Sequence, residues 1–310
     1  MTAPVAIGID IGGTKIAAGT VDADGHVSQN AVIPTPAHAG PEAVVAAVRS
    51  LAATLLDQHP TAAVGVGTAG TVGANGEIVF ATDAVHDWAG FPLRTALENA
   101  WGRPVLVLND VHAAAVAEAR VGAGAGWSSF LAVTVGTGVG GAGWRDGALL
   151  PSIGGIAGSI GHMVIDFTSD RRCPCGGRGH VEAYASGPAI EADYRRKAHR
   201  HIPLREIANR AAAGDPAAVG SIDRGAQALG AGIAAAAALL EPEGVVIGGG
   251  VASIGAPYLD AVRRAIASMA LPALRSLDVR PAATKDFAGV VGAAFAARDS
   301  RANRPGIDRA

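Results

Sequence analysis

Pro104-Val105-Leu106-Val107-Leu108-Asn109-Asp110 is a short, continuously apolar run closed by two polar residues, and the alanine-rich pattern Val111 to Arg120 follows it. An unbroken aliphatic run suits a strand buried on both faces, and the periodic segment behind it suits a helix. The stretch therefore predicts a parallel strand that delivers Asn109 and Asp110 to its carboxyl end, where open α/β sheets place their ligands. Two readings of the pair stand side by side: Asp110 is a candidate general base, or the pair only caps the following helix.

Working outward, Phe91 to Trp101 reads as a helix feeding that strand. Pro41 to Gln58 is an amphipathic helix, and Ala63 to Gly67 is a buried strand ending in Thr68-Ala69-Gly70. At the start, Val5 to Asp10 is a strand, and Ile11-Gly12-Gly13-Thr14-Lys15 turns into a second strand, Ile16 to Val21. This is a hairpin, and Lys15 lacks the spacing of the ordinary nucleoside-triphosphate loop. Its glycines admit a ligand close to the backbone, and amides in such a turn can face phosphate oxygens. A plain hairpin turn is the alternative.

The pattern then recurs. Phe130 to Val135 is a strand, Gly136-Thr137-Gly138-Val139-Gly140-Gly141 a glycine turn, and a further strand runs through Trp144. This weak internal repeat predicts two related α/β domains, each presenting a phosphate-facing turn to a common cleft. Later, Ala226 to Leu240 is a helix and Gly244 to Ile247 a strand, followed by Gly248-Gly249-Gly250. Triple glycine after a buried strand means close backbone approach, either to a nucleoside or to a helix packed against the loop. The expected domains are 1–118, with a helix near 287–300 packing on it, and a larger 119–286; residues 299–310 are expected to fray.

A chain of 310 residues with a net charge of −2 and a pI near 6.5 has no electrostatic reason to bind nucleic acid or an anionic membrane. No signal peptide opens it, and the most apolar run, Ala231 to Leu240, is too short to span a bilayer. The expectation is a cytoplasmic protein acting on small molecules. The two cysteines stand together in Cys173-Pro174-Cys175, which is no disulfide framework. With His162 and His180 they form a nitrogen and sulfur set suited to a closed tetrahedral zinc site. The alternative is two buried cysteines with unrelated surface histidines. Glu182 follows the last of the set by two residues, so a metal-fixed loop would hold its carboxylate rigidly.

Asp10 to Lys15, Asn109-Asp110, Thr134 to Gly141, Gly161-His162, the Cys-x-Cys knuckle with Glu182, and Gly248 to Gly250 together resemble the ROK family. That family includes glucokinases, fructokinases, N-acetylhexosamine kinases and sugar-responsive repressors. The resemblance implies an actin-like (ribonuclease H-like) two-domain α/β sugar kinase fold, an interdomain cleft for ATP and sugar, Mg²⁺, and usually a homodimer. It makes Asp110 the base for the sugar's 6-hydroxyl, with Asn109, Gly70, Ser159, His162 and Glu182 on the sugar side. Asp10, Gly12, Gly13, Thr14, Lys15, Thr134, Gly136, Thr137 and Gly138 would face the phosphates, and Gly248, Gly249 and Gly250 the adenosine.

Three positions depart from the family pattern. His180 stands where a third zinc cysteine is usual, Ala69 replaces the proline of a Pro-Gly turn, and Ser159 replaces a glutamate that contacts the sugar near its 2- and 3-hydroxyls. Loss of that acceptor is expected to move the preference from plain glucose toward a hexose modified at C2 or C3, such as kanosamine, or a carbasugar. Kanosamine belongs to a kind of substrate found with ROK-type kinases in antibiotic pathways. An N-acylhexosamine kinase and a non-catalytic sugar sensor are the alternatives. The repressors carry a DNA-binding segment ahead of the first glycine turn, and Asp10 stands too near the start of this sequence for one, so DNA binding is not expected.

Overall fold

The apolar segment before the first glycines forms β1 (Ala6–Ile11) and returns at once as β2 (Lys15–Val21) and then β3 (Val27–Pro34). The computed structural model describes residues 6–82, 84–284 and 286–302, and the chain divides into two compact units. Among the described residues, the first unit comprises those up to 125, residues 148–157 and those from 283 to 302. Its sheet has the order β3-β2-β1-β4-β7, completed by β4 (Ala63–Thr68) and β7 (Val105–Asn109). β1, β4 and β7 are parallel, and their register aligns Ile11, Thr68 and Asn109 at one carboxyl edge. That alignment brings together turns that lie far apart in sequence.

Helices α1 (Pro41–Gln58), α2 (Leu93–Trp101) and α3 (Asp110–Val121) belong to this unit, with a small ribbon of β5 (Thr71–Val72) and β6 (Ile78–Phe80). Short β10 (Ala148–Leu149) also groups with it. One core joins Ile7, Ile9, Val64, Val66 and Val107 of the sheet to Val44, Val48 and Leu97 of the helices. α9 (Ala288–Ala302) lies across the same sheet. Gly8 and Gly65 are paired neighbours beneath it, and a Cβ on either would stand 1.9 Å from the carbonyl oxygen of Val290 or Ala293. Glycine there is a packing requirement, which explains its place inside otherwise β-branched strands.

Glu118, only 3 % exposed, fastens the end of α3 to the segment entering α9. Its carboxylate accepts the backbone N–H of Ala123 at 2.7 Å, of Thr284 at 2.8 Å and of Ala283 at 3.2 Å. A buried carboxylate is tolerated because these donors replace the lost water.

The second unit holds residues 126–147 and 158–282. β8 (Ser129–Val135) and β9 (Val139–Arg145) form a hairpin, and β11 (Gly244–Gly248) lies parallel to both β8 and β12 (Asp278–Pro281). Helices α4 (Glu182–Ala185), α5 (Gly187–Ala198), α6 (Leu204–Ala212), α7 (Pro216–Leu240) and α8 (Ala256–Met269) complete it. Leu131, Val133, Val245 and Ile247 pack against Leu229, Ile233 and Val262 in a second core. Each unit thus backs a glycine-turned hairpin with parallel strands.

Two expectations need correction. The helix expected over Ala226 to Leu240 begins at Pro216, where Asp215 caps it by accepting from Ala217 and Ala218. Gly220, Gly225 and Gly230 weaken the local helical signal, yet Gly225 and Gly230 sit where Ile190 and Ala265 come close. At the other end, the tail expected to fray from 299 is helical through Ala302, and residues 303–310 lie outside the described part. The Arg301 guanidinium donates to the Thr61 carbonyl and Arg120 pairs with Asp299, which ties this last turn down. No helix among the described residues is long and apolar enough to cross a membrane.

Candidate active site

Asn109 and Asp110 stand at the junction of β7 and α3, and each does more than one thing. Asn109 is the N-cap, its Oδ1 accepting from Val111 at 2.9 Å and His112 at 3.3 Å. The other half of the same amide donates from Nδ2 to the Gly70 carbonyl at 2.8 Å, fixing the turn after β4. Asp110 Oδ1 accepts the Val111 N–H at 2.9 Å. The capping reading therefore describes Asn109, and Asp110 remains a partly exposed carboxylate at the sheet edge. Burial pushes its pKa up to about 6, against opposing hydrogen bonds from Val111, Asn109 and its own backbone.

Asp10, at the end of β1, shares this edge. Burial raises its pKa to about 7, Asp110 adds to the rise, and Lys15 opposes it. In the turn that follows, Gly12 N–H donates to the Lys15 carbonyl at 3.0 Å, and Thr35 Oγ1 donates to Gly12 O at 2.6 Å. Thr14 and Lys15 are left exposed at its tip. The Thr68-Ala69-Gly70 turn needs no proline: Gly70 has φ +97°, and the Trp88 indole N–H holds the Ala69 carbonyl at 3.1 Å. Within the first unit the fold thus gathers Asp10, Gly12, Gly13, Thr14, Lys15, Gly70, Asn109 and Asp110 at one edge.

In the second unit the register pairs Thr134 of β8 with Gly248 of β11, so both glycine turns leave the sheet at the same edge. Gly136 donates to the Gly138 carbonyl at 2.8 Å and accepts the Gly187 N–H at 2.8 Å, placing the turn against the start of α5. Thr137, at its tip, is exposed. Gly249, with φ +90°, lies where a Cβ would stand 2.4 Å from the Val135 carbonyl oxygen, and Gly249 and Gly250 are exposed. Two exposed backbone turns side by side form a surface that a phosphorylated nucleoside can approach closely.

The knuckle residues also converge. One ligand atom each from His162, Cys173, Cys175 and His180 lies within 4.8 Å of every other. Cys173 Sγ is 3.5 Å from His162 Nδ1, and Cys175 Sγ is 3.2 Å from His180 Nδ1. Zinc bonds of about 2.3 Å to sulfur and 2.0–2.1 Å to nitrogen would set tetrahedral donors ~3.5 Å apart, so this set fits the ion. Burial pushes the Cys173 thiol up to about 12, and the negative charge a bound cation would require of it needs that cation beside it. Glu182, 7 % exposed, connects this cluster to the β8–β9 turn. Its Oε2 accepts the Val139 N–H at 2.7 Å, while Oε1 lies 3.5 Å from Cys173 Sγ. Ser159 sits just before the turn Ile160–His162, partly exposed and with no side-chain capping bond there.

His112 and Glu118 were not singled out in the sequence. His112 Nε2 lies 3.2 Å from the Ala157 carbonyl, and burial holds the imidazole below its ordinary pKa. Its place two residues beyond Asp110, within the first turn of α3, is the one local signal, and its partner is 45 residues away.

Paired α/β units, each a glycine-turned hairpin backed by parallel strands, define the actin-like class that includes sugar kinases. Residues 6–300 match the ROK family, and the chain belongs to it. A glucokinase of Streptomyces coelicolor is 35 % identical over 312 residues, covering 94 % of this chain and 97 % of that protein. An N-acetylmannosamine kinase of Citrobacter koseri is 35 % identical over 295 residues, covering 95 % and 99 %. A crystal structure of a ROK family glucokinase from Streptomyces griseus in complex with glucose and AMPPNP superposes with a TM-score of 0.82 at 35 % identity, covering 95 % of this chain and 99 % of that one.

Proposed function

We propose that the protein transfers the γ-phosphoryl group of ATP, with Mg²⁺, to the 6-hydroxyl of a hexose or hexose-like sugar, with Asp110 as general base. The observation that carries this reading is the Asp110 carboxylate, at the carboxyl edge of a parallel sheet and pushed to about 6. Phosphoryl transfer needs in-line positioning and charge neutralisation more than covalent chemistry, with a base near the attacking hydroxyl. A group that ionises just below neutral pH is a carboxylate at pH 7 and still basic enough to accept a proton.

Asn109 orients a hydroxyl beside the base, its own geometry fixed by the Gly70 carbonyl. Ser159, His162 and Glu182 serve the sugar's other edge. Asp10, Gly12, Gly13, Thr14 and Lys15, and in the second unit Thr134, Gly136, Thr137 and Gly138, serve the phosphates; Gly248, Gly249 and Gly250 serve the adenosine. Bound Mg-ATP supplies the phosphoryl group and neutralises its charge. His162, Cys173, Cys175 and His180 would hold a structural zinc, and four protein donors would leave it no open position for catalysis.

Relatives that bear the names glucokinase and N-acetylmannosamine kinase leave the acceptor open between a hexose and an N-acylhexosamine. Ser159 favours an acceptor changed at C2 or C3, kanosamine among them, because a short hydroxyl offers one fewer acceptor and more room than the usual glutamate. The protein is proposed to work in the cytoplasm as a homodimer. Exposed Phe167, Val164 and Met269 on the second unit are apolar surface of the kind such contacts cover, and light scattering tests it.

ADP release with Mg-ATP over glucose, mannose, fructose, glucosamine, kanosamine and the N-acetylhexosamines tests the reaction. Turnover that persists in Asp110→Asn removes the base, and silence on every sugar with binding intact supports a sensor instead. Ser159→Glu is expected to raise glucose use relative to an amino sugar; an unchanged ratio refutes the role given to Ser159.

A further inference from the structure

The loop 152–157 carries two large aliphatic side chains in water: Ile153 is 97 % exposed and Ile156 65 %. The backbone beneath them is pinned. Gly155, with φ +73°, lies so close to β5 that a Cβ would stand 2.0 Å from the Val72 carbonyl oxygen. Ala157 donates its N–H to Ser152 Oγ at 3.0 Å, and its carbonyl lies 3.2 Å from His112 Nε2.

Both attachments flank the residues that would receive the sugar. Val72 is two residues beyond Gly70, whose carbonyl is held by Asn109, and His112 is two residues beyond Asp110. A surface turn is closed equally well by glycine and small polar residues. Ile153 and Ile156 instead put apolar surface on a fixed backbone whose anchor, His112, lies in the helix that begins at Asp110.

Given the reading of Asn109 and Asp110 as the acceptor site, the geometry points to Ile153 and Ile156 as specificity residues that form an apolar lip for an alkyl or acyl substituent of the acceptor. Gly155 and His112 are positioning residues for that lip. Apolar side chains at this place favour a substituent that sheds water on binding over an unsubstituted hydroxyl.

The test uses glucose, glucosamine and its N-acetyl and N-butanoyl derivatives, with ADP release for turnover and calorimetry for binding. The wild type is expected to favour the acylated acceptors, increasingly with acyl length. One methylene-sized contact is worth roughly 10- to 200-fold in discrimination. Ile153→Ser and Ile156→Ser should each lower the acylated-to-free ratio of kcat/KM about tenfold. Both side chains are exposed, so folding should survive, and a thermal melt checks it. His112→Ala should produce the same fall in ratio through KM for the acceptor, with KM for ATP unmoved, and His112→Gln should restore it in part. Hydrogen exchange over 152–157 should quicken in His112→Ala.

A ratio that neither isoleucine variant moves overturns the lip. Turnover on free sugars with no response to acyl length overturns it too, while the kinase reading stands. Acyl-dependent binding with no turnover on any sugar keeps the lip and dismisses the kinase.

Discussion

Replacing Asp110 with asparagine preserves the side chain's shape and the oxygen that accepts the Val111 N–H, and deletes a charge that burial disfavours. The carboxyl is raised from 3.8 to about 6, so at neutral pH the folded protein holds an anion that the unfolded chain would hold more cheaply. A rise of that size corresponds to about 3 kcal/mol, and partial solvent screening reduces it to about 1–3 kcal/mol. Asp10 gains as well, because the Asp110 charge contributes to its own raised value of about 7.

The sign follows from proton counts. Well below pH 4 the carboxyl is protonated in both states, and wild type and variant should be alike. Between pH 4 and pH 6 the unfolded chain gives up its proton first, so wild-type stability declines relative to the variant. Above pH 6 the part due to Asp110 itself is complete, and the difference should grow a little further until Asp10, raised to about 7 with help from the Asp110 charge, has ionised too. Paired urea melts at pH 4, 5, 6 and 7.5 measure it, with loss of turnover checked alongside. A variant less stable than wild type at pH 7.5, or an offset equal at every pH, would refute the argument that burial of this charge sets its reactivity.

Three further outcomes are expected. The kcat/KM of the wild type should climb with pH to a plateau just above the value of about 6 held by free Asp110, and a profile flat down to pH 5 removes it as the base. Elemental analysis should find one zinc per chain, retained more firmly against a chelator in His180→Cys and lost in Cys173→Ala; purified protein that folds and turns over without zinc dismisses the structural ion. Glu118→Gln exchanges an acceptor for a donor facing backbone N–H groups, and should lower unfolding free energy by about 1–3 kcal/mol in urea; an unchanged midpoint would show that solvent serves those N–H groups equally well.

The strand ending at Asn109, both glycine-turned hairpins and the long helix Pro41–Gln58 were legible because their signals are local: unbroken apolar runs, paired glycines and a helical stripe. The four knuckle donors were legible from residue type alone. What stayed hidden depends on partners distant in sequence. Gly8 and Gly65 look like weak points in their strands until α9 lies over them. Gly220 and Gly225 hid the first ten residues of α7, and Gly225 has its reason in the approach of Ile190. Nothing near His112 announced Ala157, and nothing near Glu118 announced Thr284.

The position of α9 has a consequence for how the protein is made. The first unit's sheet comes from residues 6–109, but the helix that lies across Gly8 and Gly65 is Ala288–Ala302. During synthesis at about 5–20 residues per second, the amino-terminal sheet must wait roughly ten to forty seconds with that face bare. The second unit, all of whose residues precede 283, has its full complement first. Order of completion thus runs opposite to order of translation, and the nascent amino-terminal half is the natural client for a chaperone until the last helix emerges.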